Sequence, residues 1–164
     1  MGGSVMAGCW NCDYGVGGMT GVGMLYPHVY DKTYLPNAKA GKYGKCVQRF
    51  LEEHPEGAVN FDLVVKRCED CGAMRIGFDL GMYLPAEKPI PKDEYYEDPR
   101  RLFYPSDKQY VLYKPFDARC GKCHGRHIRV YTEQEFIDAV EAGEIRCPKC
   151  GEPIFGGPGI INWD

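Results

Sequence analysis

The sequence predicts an α+β fold of two small β-rich modules, each with one inserted helix, joined by a proline-rich charged linker. Three observations carry this reading. Four Cys-x-x-Cys pairs are spread along the chain, at Cys9–Cys12, Cys68–Cys71, Cys120–Cys123 and Cys147–Cys150. Two of them fall on either side of the stretch 85–108, PAEKPIPKDEYYEDPRRLFYPSDK, whose five prolines and eleven charged residues resist both a regular ladder and burial. About a fifth of the residues are Leu, Ile, Val or Phe, against 21 glycines and 12 prolines, so each half has a thin apolar interior that needs stapling. The expected division is therefore 1–84, a linker over 85–108, and 109–164.

In the first module, Tyr43, Cys46, Val47, Phe50 and Leu51 recur at i, i+3, i+4, i+7 and i+8, the apolar stripe of a helix that Pro55 and Gly57 end. Cys46 lies on that stripe and reads as a buried structural thiol. NFDLVVKR before Cys68 and AMRIGFDL after Cys71 read as strands. The glycine run over 14–24, YGVGGMTGVGM, fails the G-x-G-x-x-G spacing and lacks Gly-Lys-Ser/Thr, so it is no nucleotide loop. It reads as a flexible turn, or as chain passing close to the first cysteine pair. In the second module QYVLYKPF and RHIRVY read as strands. A helix then opens at Thr132-Glu133-Gln134-Glu135, where Thr132 and Glu135 form a capping box; Phe136, Ile137 and Val140 are its apolar face, and Gly143 stops it. Arg67-Cys68-Glu69-Asp70-Cys71-Gly72 parallels Arg146-Cys147-Pro148-Lys149-Cys150-Gly151, which suggests a loose duplication.

Charge is nearly balanced, 20 basic against 23 acidic residues for a net −3, which argues against a chain devoted wholly to nucleic acid. No stretch approaches the roughly 18 apolar residues of a membrane span, and no basic region followed by an apolar core opens the chain. The expected setting is cytoplasmic and reducing, with no membrane partner, where such cysteines serve more often as metal ligands than as disulfides.

A Cys-x-x-Cys turn can point two thiolates at one ion while its backbone amides donate to the sulfurs, and a following glycine suits the positive φ of the exit. Two such turns supply four sulfurs for tetrahedral Zn²⁺ or Fe. Pairing by order along the chain gives Cys9, Cys12, Cys68 and Cys71 as the first site and Cys120, Cys123, Cys147 and Cys150 as the second, for two ions. Cys120–His124 also matches the haem-attachment pattern CxxCH, but that use would strand Cys147 and Cys150. With four thiolates per site, His124 and His127 read as surface groups or neighbours of the sulfurs.

CPKCG, with a second CxxC upstream and strands flanking both, resembles a zinc ribbon or rubredoxin-like domain, and the chain resembles two of them. Cys9-Trp10-Asn11-Cys12-Asp13-Tyr14 is similar to the first rubredoxin turn, with Asp13 where that family has Gly. The resemblance covers the residues around each cysteine turn and departs at both inserted helices. It implies a fold and a metal, and carries no function across.

A closed Cys₄ site leaves no open position for substrate, and no catalytic constellation is recognisable. With 12 tyrosines available for contacts, the expected function is a non-enzymatic zinc protein that docks another protein. Two alternatives stand beside it. Lys114, Arg119, Lys122, Arg126 and Arg129, with Tyr113, Phe116 and Tyr131 for stacking, form a candidate nucleic-acid surface on the second module. Iron in the same sulfurs would make a rubredoxin-like electron carrier.

Overall fold

A computed structural model describes residues 2–23, 26–86 and 110–159. From residue 87 onward, the expected linker lies outside these residues. Among the described residues the architecture is mixed α/β, with three small antiparallel sheets of three strands each. The chain forms two compact units that interleave in sequence. The first comprises Met1–Met24, Asp62–Phe78 and Asp117–Asp164; the second comprises Leu25–Phe61 and Asp79–Phe116. This replaces the tandem division at 85–108. The physical reason is strand pairing, because both sheets of the first unit draw strands from both sides of that stretch.

In the first unit, β1 (Gly3–Gly8) and β2 (Gly15–Thr20) form a hairpin, and β9 (Phe155–Pro158) pairs antiparallel with β1 on its other side. Glycine-rich GSVMAG and GVGGMT have poor strand propensity, which is why the sequence reads as a turn where β2 runs. The second sheet repeats the plan. There β4 (Leu63–Cys68) and β5 (Met74–Phe78) form a hairpin, and β8 (Ile128–Tyr131) pairs antiparallel with β4. The expected strands around Cys68 and Cys71 and after Cys123 are thus present, shortened at their ends.

Helix α4 (Glu133–Glu141) starts as expected. The Thr132 hydroxyl accepts from the Glu135 amide at 3.3 Å, and the Glu135 carboxylate accepts from the Thr132 amide at 2.8 Å. Gly143 follows at φ 70°. Phe136, Ile137, Ala139 and Val140 of this helix join Val5, Ala7, Val65, Tyr131, Ile145 and Ile154 in one core, which also includes Cys9 and Cys147. Each large apolar side chain so buried stabilises by about 1.5–3 kcal/mol.

The second unit holds the sheet of β3 (Ala58–Val59), β6 (Met82–Pro85) and β7 (Tyr110–Lys114), in the order β3-β6-β7. Its helices are α1 (Tyr26–Val29), a π turn over Tyr30–Tyr34, α2 (Leu35–Lys39) and α3 (Lys45–Glu53). Pro36 at the start of α2 has no amide for the preceding turn, which fits a widened turn just before it. Tyr26, Tyr30 and Tyr34 recur every four residues, a helical signal the sequence reading does not use. Tyr30, fully buried, and Tyr34 and Tyr43 surround Phe61 with ring centroids 5.6, 5.0 and 5.0 Å away. Tyr26, Tyr30, Tyr110 and Tyr131 are thus core residues rather than groups offered to a docking surface. Helix α3 buries Val47, Phe50 and Leu51 as expected, but Cys46 is exposed. It sits at the edge of the stripe, on the side of Lys45 and Arg49 rather than Val47 and Leu51.

Candidate metal centres

The eight expected ligands gather in two quartets, but the pairing by chain order is corrected. Cys9 and Cys12 meet Cys147 and Cys150; Cys68 and Cys71 meet Cys120 and Cys123. The second quartet is nested inside the first. The cause lies in the two hairpins. Each first knuckle caps a hairpin, β1–β2 or β4–β5, and each second knuckle leads into the strand that joins that hairpin's sheet, β9 or β8. The internal likeness therefore relates the Cys9 turn to the Cys68 turn and the Cys120 turn to the Cys147 turn, not Cys68 to Cys147.

All four knuckles share one backbone design. The amide of the first cysteine donates to the carbonyl five residues on: Cys9 to Tyr14, Cys68 to Ala73, Cys120 to Gly125 and Cys147 to Glu152, at 2.8–3.0 Å. In three of them the amide four residues on returns to the first cysteine's carbonyl, from Gly72, His124 and Gly151. These three residues have φ of 70°, 61° and 80°. Glycine accepts that left-handed conformation freely, whereas His124 carries a Cβ into it. At Gly72 there is a second constraint, since a Cβ there would lie 3.3 Å from Cβ of Pro148 in the other quartet's knuckle.

Sulfur separations are 3.4 Å for Cys9–Cys150, 3.6 Å for Cys12–Cys147, 3.5 Å for Cys68–Cys123 and 3.6 Å for Cys71–Cys120. A disulfide needs about 2.05 Å, and all nine cysteines are free. A tetrahedron with metal–sulfur bonds of about 2.3 Å has edges of about 3.8 Å, so both quartets fit one ion each. Their burial patterns are identical: the first cysteine of each pair is buried, Cys12 and Cys71 are half-buried, and Cys123 and Cys150 are exposed.

The thiols are poised for a cation. Amides of Cys123 and Lys122 donate to Cys120 and lower its pKa to about 6. Burial opposes ionisation of Cys147, but the amides of Lys149 and Cys150 and the neighbouring sulfurs outweigh it, giving about 7. The Tyr14 amide favours a Cys12 thiolate, yet burial and the sulfurs of Cys147, Cys9 and Cys150 push Cys12 up to about 12. For Cys123 the Gly125 amide is likewise overcome, by the Cys71 and Cys68 sulfurs and by burial, and its pKa rises to about 12. Four sulfurs this close cannot all be anionic until a cation offsets them.

One ion pair braces each quartet across its two knuckles. Lys149 Nζ lies 2.6 Å from Asp13 Oδ1, and His127 Nδ1 lies 2.8 Å from Asp70 Oδ1. Lys149 holds the Asp13 carboxyl below its usual range, and Asp13 raises Lys149. His127 lowers Asp70, and Asp70 raises His127. Asp13 and Asp70 are bracing residues that the sequence reading does not single out. His124 and His127 are both exposed, as expected for surface groups.

The candidate nucleic-acid residues are divided between the units. Arg119, Lys122, Arg126 and Arg129 belong to the first, Lys114 and Tyr113 to the second. Arg126 is 3.2 Å from Asp117, and Arg129 lies over the Tyr131 ring at 4.7 Å. Tyr131 is 3% exposed, a core residue that cannot offer a face for stacking. The structure adds Lys66, Arg67 and Arg75 to the cations of the β5-β4-β8 sheet, with Lys66 directly opposite Arg75 and Arg67 opposite Arg129. Among the described residues, no helix is long and apolar enough to cross a membrane. Comparison with family models, curated proteins and solved structures returned no match.

Proposed function

We propose that this chain is a non-enzymatic zinc protein whose two ions are structural and whose folded surface docks another protein. The observation that carries the reading is the closure of eight sulfurs into two quartets, the four sulfurs of each lying within 4.8 Å of one another. With four protein ligands each, such sites leave no position for substrate or activated water, the signature of structural zinc. Zinc-ribbon-like knuckles at all four turns support the same conclusion. Each ion ties together segments far apart in sequence, in a chain whose apolar content alone gives thin cores.

Zinc with four thiolates carries a net −2. Knuckle amides that donate to the sulfurs, such as Lys122 to Cys120 and Lys149 to Cys147, offset part of that charge, so the Lys122 backbone has a role that needs no nucleic acid. Docking is supported by apolar groups exposed on the β2-β1-β9 sheet and its knuckle. Trp10 is 83% exposed and stacks on Phe155 at 3.9 Å, with Met6 and Met19 also largely exposed. Large aromatic groups presented this way are characteristic anchors of protein interfaces.

Metal analysis of the purified protein tests the assignment. Two zinc ions per chain and no visible absorption support it. A red protein with thiolate-to-iron absorption would instead establish the electron-carrier alternative, because iron accepts the same ligands.

A further inference from the structure

In the second unit, helix α3 and strands β6 and β7 line an open cavity of about 400 Å³, within the size range of small-ligand sites. Its floor is apolar, made by Phe50 and Met82, which are 4% and 1% exposed. One wall is Tyr113, whose ring stacks on Phe50 at 5.7 Å and an interplanar angle of 26°. The Tyr113 ring also meets His54, with centroids 5.2 Å apart and planes at 60°, yet the residue is 54% exposed and lines the cavity, so part of its aromatic surface stays open. Lys45 and Arg49, one helical turn apart, and Lys114 beside Tyr113 complete the lining with Cys46 and one acid, Glu53. Among the described residues, neither Lys45, Arg49 nor Lys114 has an acidic partner within ion-pair distance.

We propose that this cavity binds a nucleotide unit, with its base against the exposed part of the Tyr113 ring and its phosphate among Lys45, Arg49 and Lys114. A purely apolar ligand would leave three cations unanswered, and a bare anion would not use the aromatic surface of Tyr113. A flat ring joined to a phosphate meets both halves. Aromatic stacking accepts any base, and cations hold the phosphate, which is the chemistry of free nucleotides and of single strands alike. The site is in the second unit and shares no residue with the metal quartets.

The test is calorimetric titration of the metal-loaded full chain with adenosine 5′-monophosphate, inorganic phosphate and a short single-stranded oligodeoxyadenylate. The nucleotide should bind roughly tenfold or more tightly than phosphate, since stacking contributes about 1–3 kcal/mol per base. Arg49→Ala and Lys114→Ala, both at exposed positions, should each weaken nucleotide binding roughly tenfold. Tyr113→Leu should erase the advantage over phosphate, and Lys122→Ala in the first unit should change nothing. An oligonucleotide that binds more tightly, with steep salt dependence, assigns the site to single strands; equal affinity assigns it to free nucleotides. Failure of the nucleotide to saturate, equal affinity for phosphate, or indifference to both cation substitutions overturns the proposal.

Discussion

Sγ of Cys9 lies 3.4 Å from Sγ of Cys150, although 141 positions separate the two residues. The first quartet thereby joins the opening hairpin to the segment before β9, while the second joins β4–β5 to the loop before β8. A chain held in this way is organised from outside inward, and the consequences can be measured.

Removing the metal should unfold the first unit rather than merely silence it. Cys9 and Cys147 belong to the same core as Phe136 and Val65, so loss of the ions releases the hairpins and α4 together. Titration with a chelator, followed by circular dichroism and thermal melting, should show loss of structure. An apo form with an unchanged melting temperature would contradict the structural role.

The cysteines should differ sharply in what they contribute. Cys147→Ser removes a buried ligand and should cost on the order of several kcal/mol. Cys46→Ser alters an exposed thiol and should stay within about 0.5 kcal/mol. Denaturant melts of the two variants check this, and equal losses would show the ligand set to be wrong.

Loading the sites should release protons. Thiols of the unfolded apoprotein, with pKa about 8.5, are mostly protonated at neutral pH, and in the folded quartets crowding and burial push Cys12 and Cys123 up to about 12, so an ion displaces protons in either state. Once coordinated, those thiols are held ionised far below their unfolded values of about 8.5. Metal-linked stability is therefore present above that range and lost as pH falls through the pH at which the bound thiolates reprotonate. Adding Zn²⁺ to weakly buffered apoprotein containing a pH indicator should acidify the solution. An unchanged indicator would mean the thiols were not displaced.

His124 occupies the knuckle position that Gly72 and Gly151 hold elsewhere, at φ 61°. His124→Gly should relieve that strain and stabilise the second quartet by about 1 kcal/mol. Thr132→Ala, by contrast, removes the α4 cap and should cost about 1 kcal/mol. Thermal melts of both metal-loaded variants give the two signs.

Much of this was legible in the residues themselves. The eight ligands follow from four repeats of one local turn, and α4 follows from a capping box and an apolar face that act within a dozen residues. Strands β4, β5, β7 and β8 announce themselves through β-branched and aromatic residues. What escaped is what local chemistry leaves open. A Cys-x-x-Cys turn is the same whichever partner it meets, so the pairing is decided by which strands share a sheet, and that depends on contacts such as Gly8 with Phe155. Strands β1 and β2 hide behind glycine, whose low propensity is overridden by pairing on both sides of β1. Cys46 fits the apolar spacing of α3, yet only the packing of Val47, Phe50 and Leu51 shows which way that stripe faces.

The nested pairing is tested most directly by mapping reactive thiols in a Cys9→Ser/Cys12→Ser variant loaded with zinc, using alkylation read by mass spectrometry. The variant should lose one ion and expose Cys147 and Cys150 to alkylation, while Cys68, Cys71, Cys120 and Cys123 stay protected. New reactivity at Cys68 and Cys71 with continued protection at Cys147 and Cys150 would contradict the account.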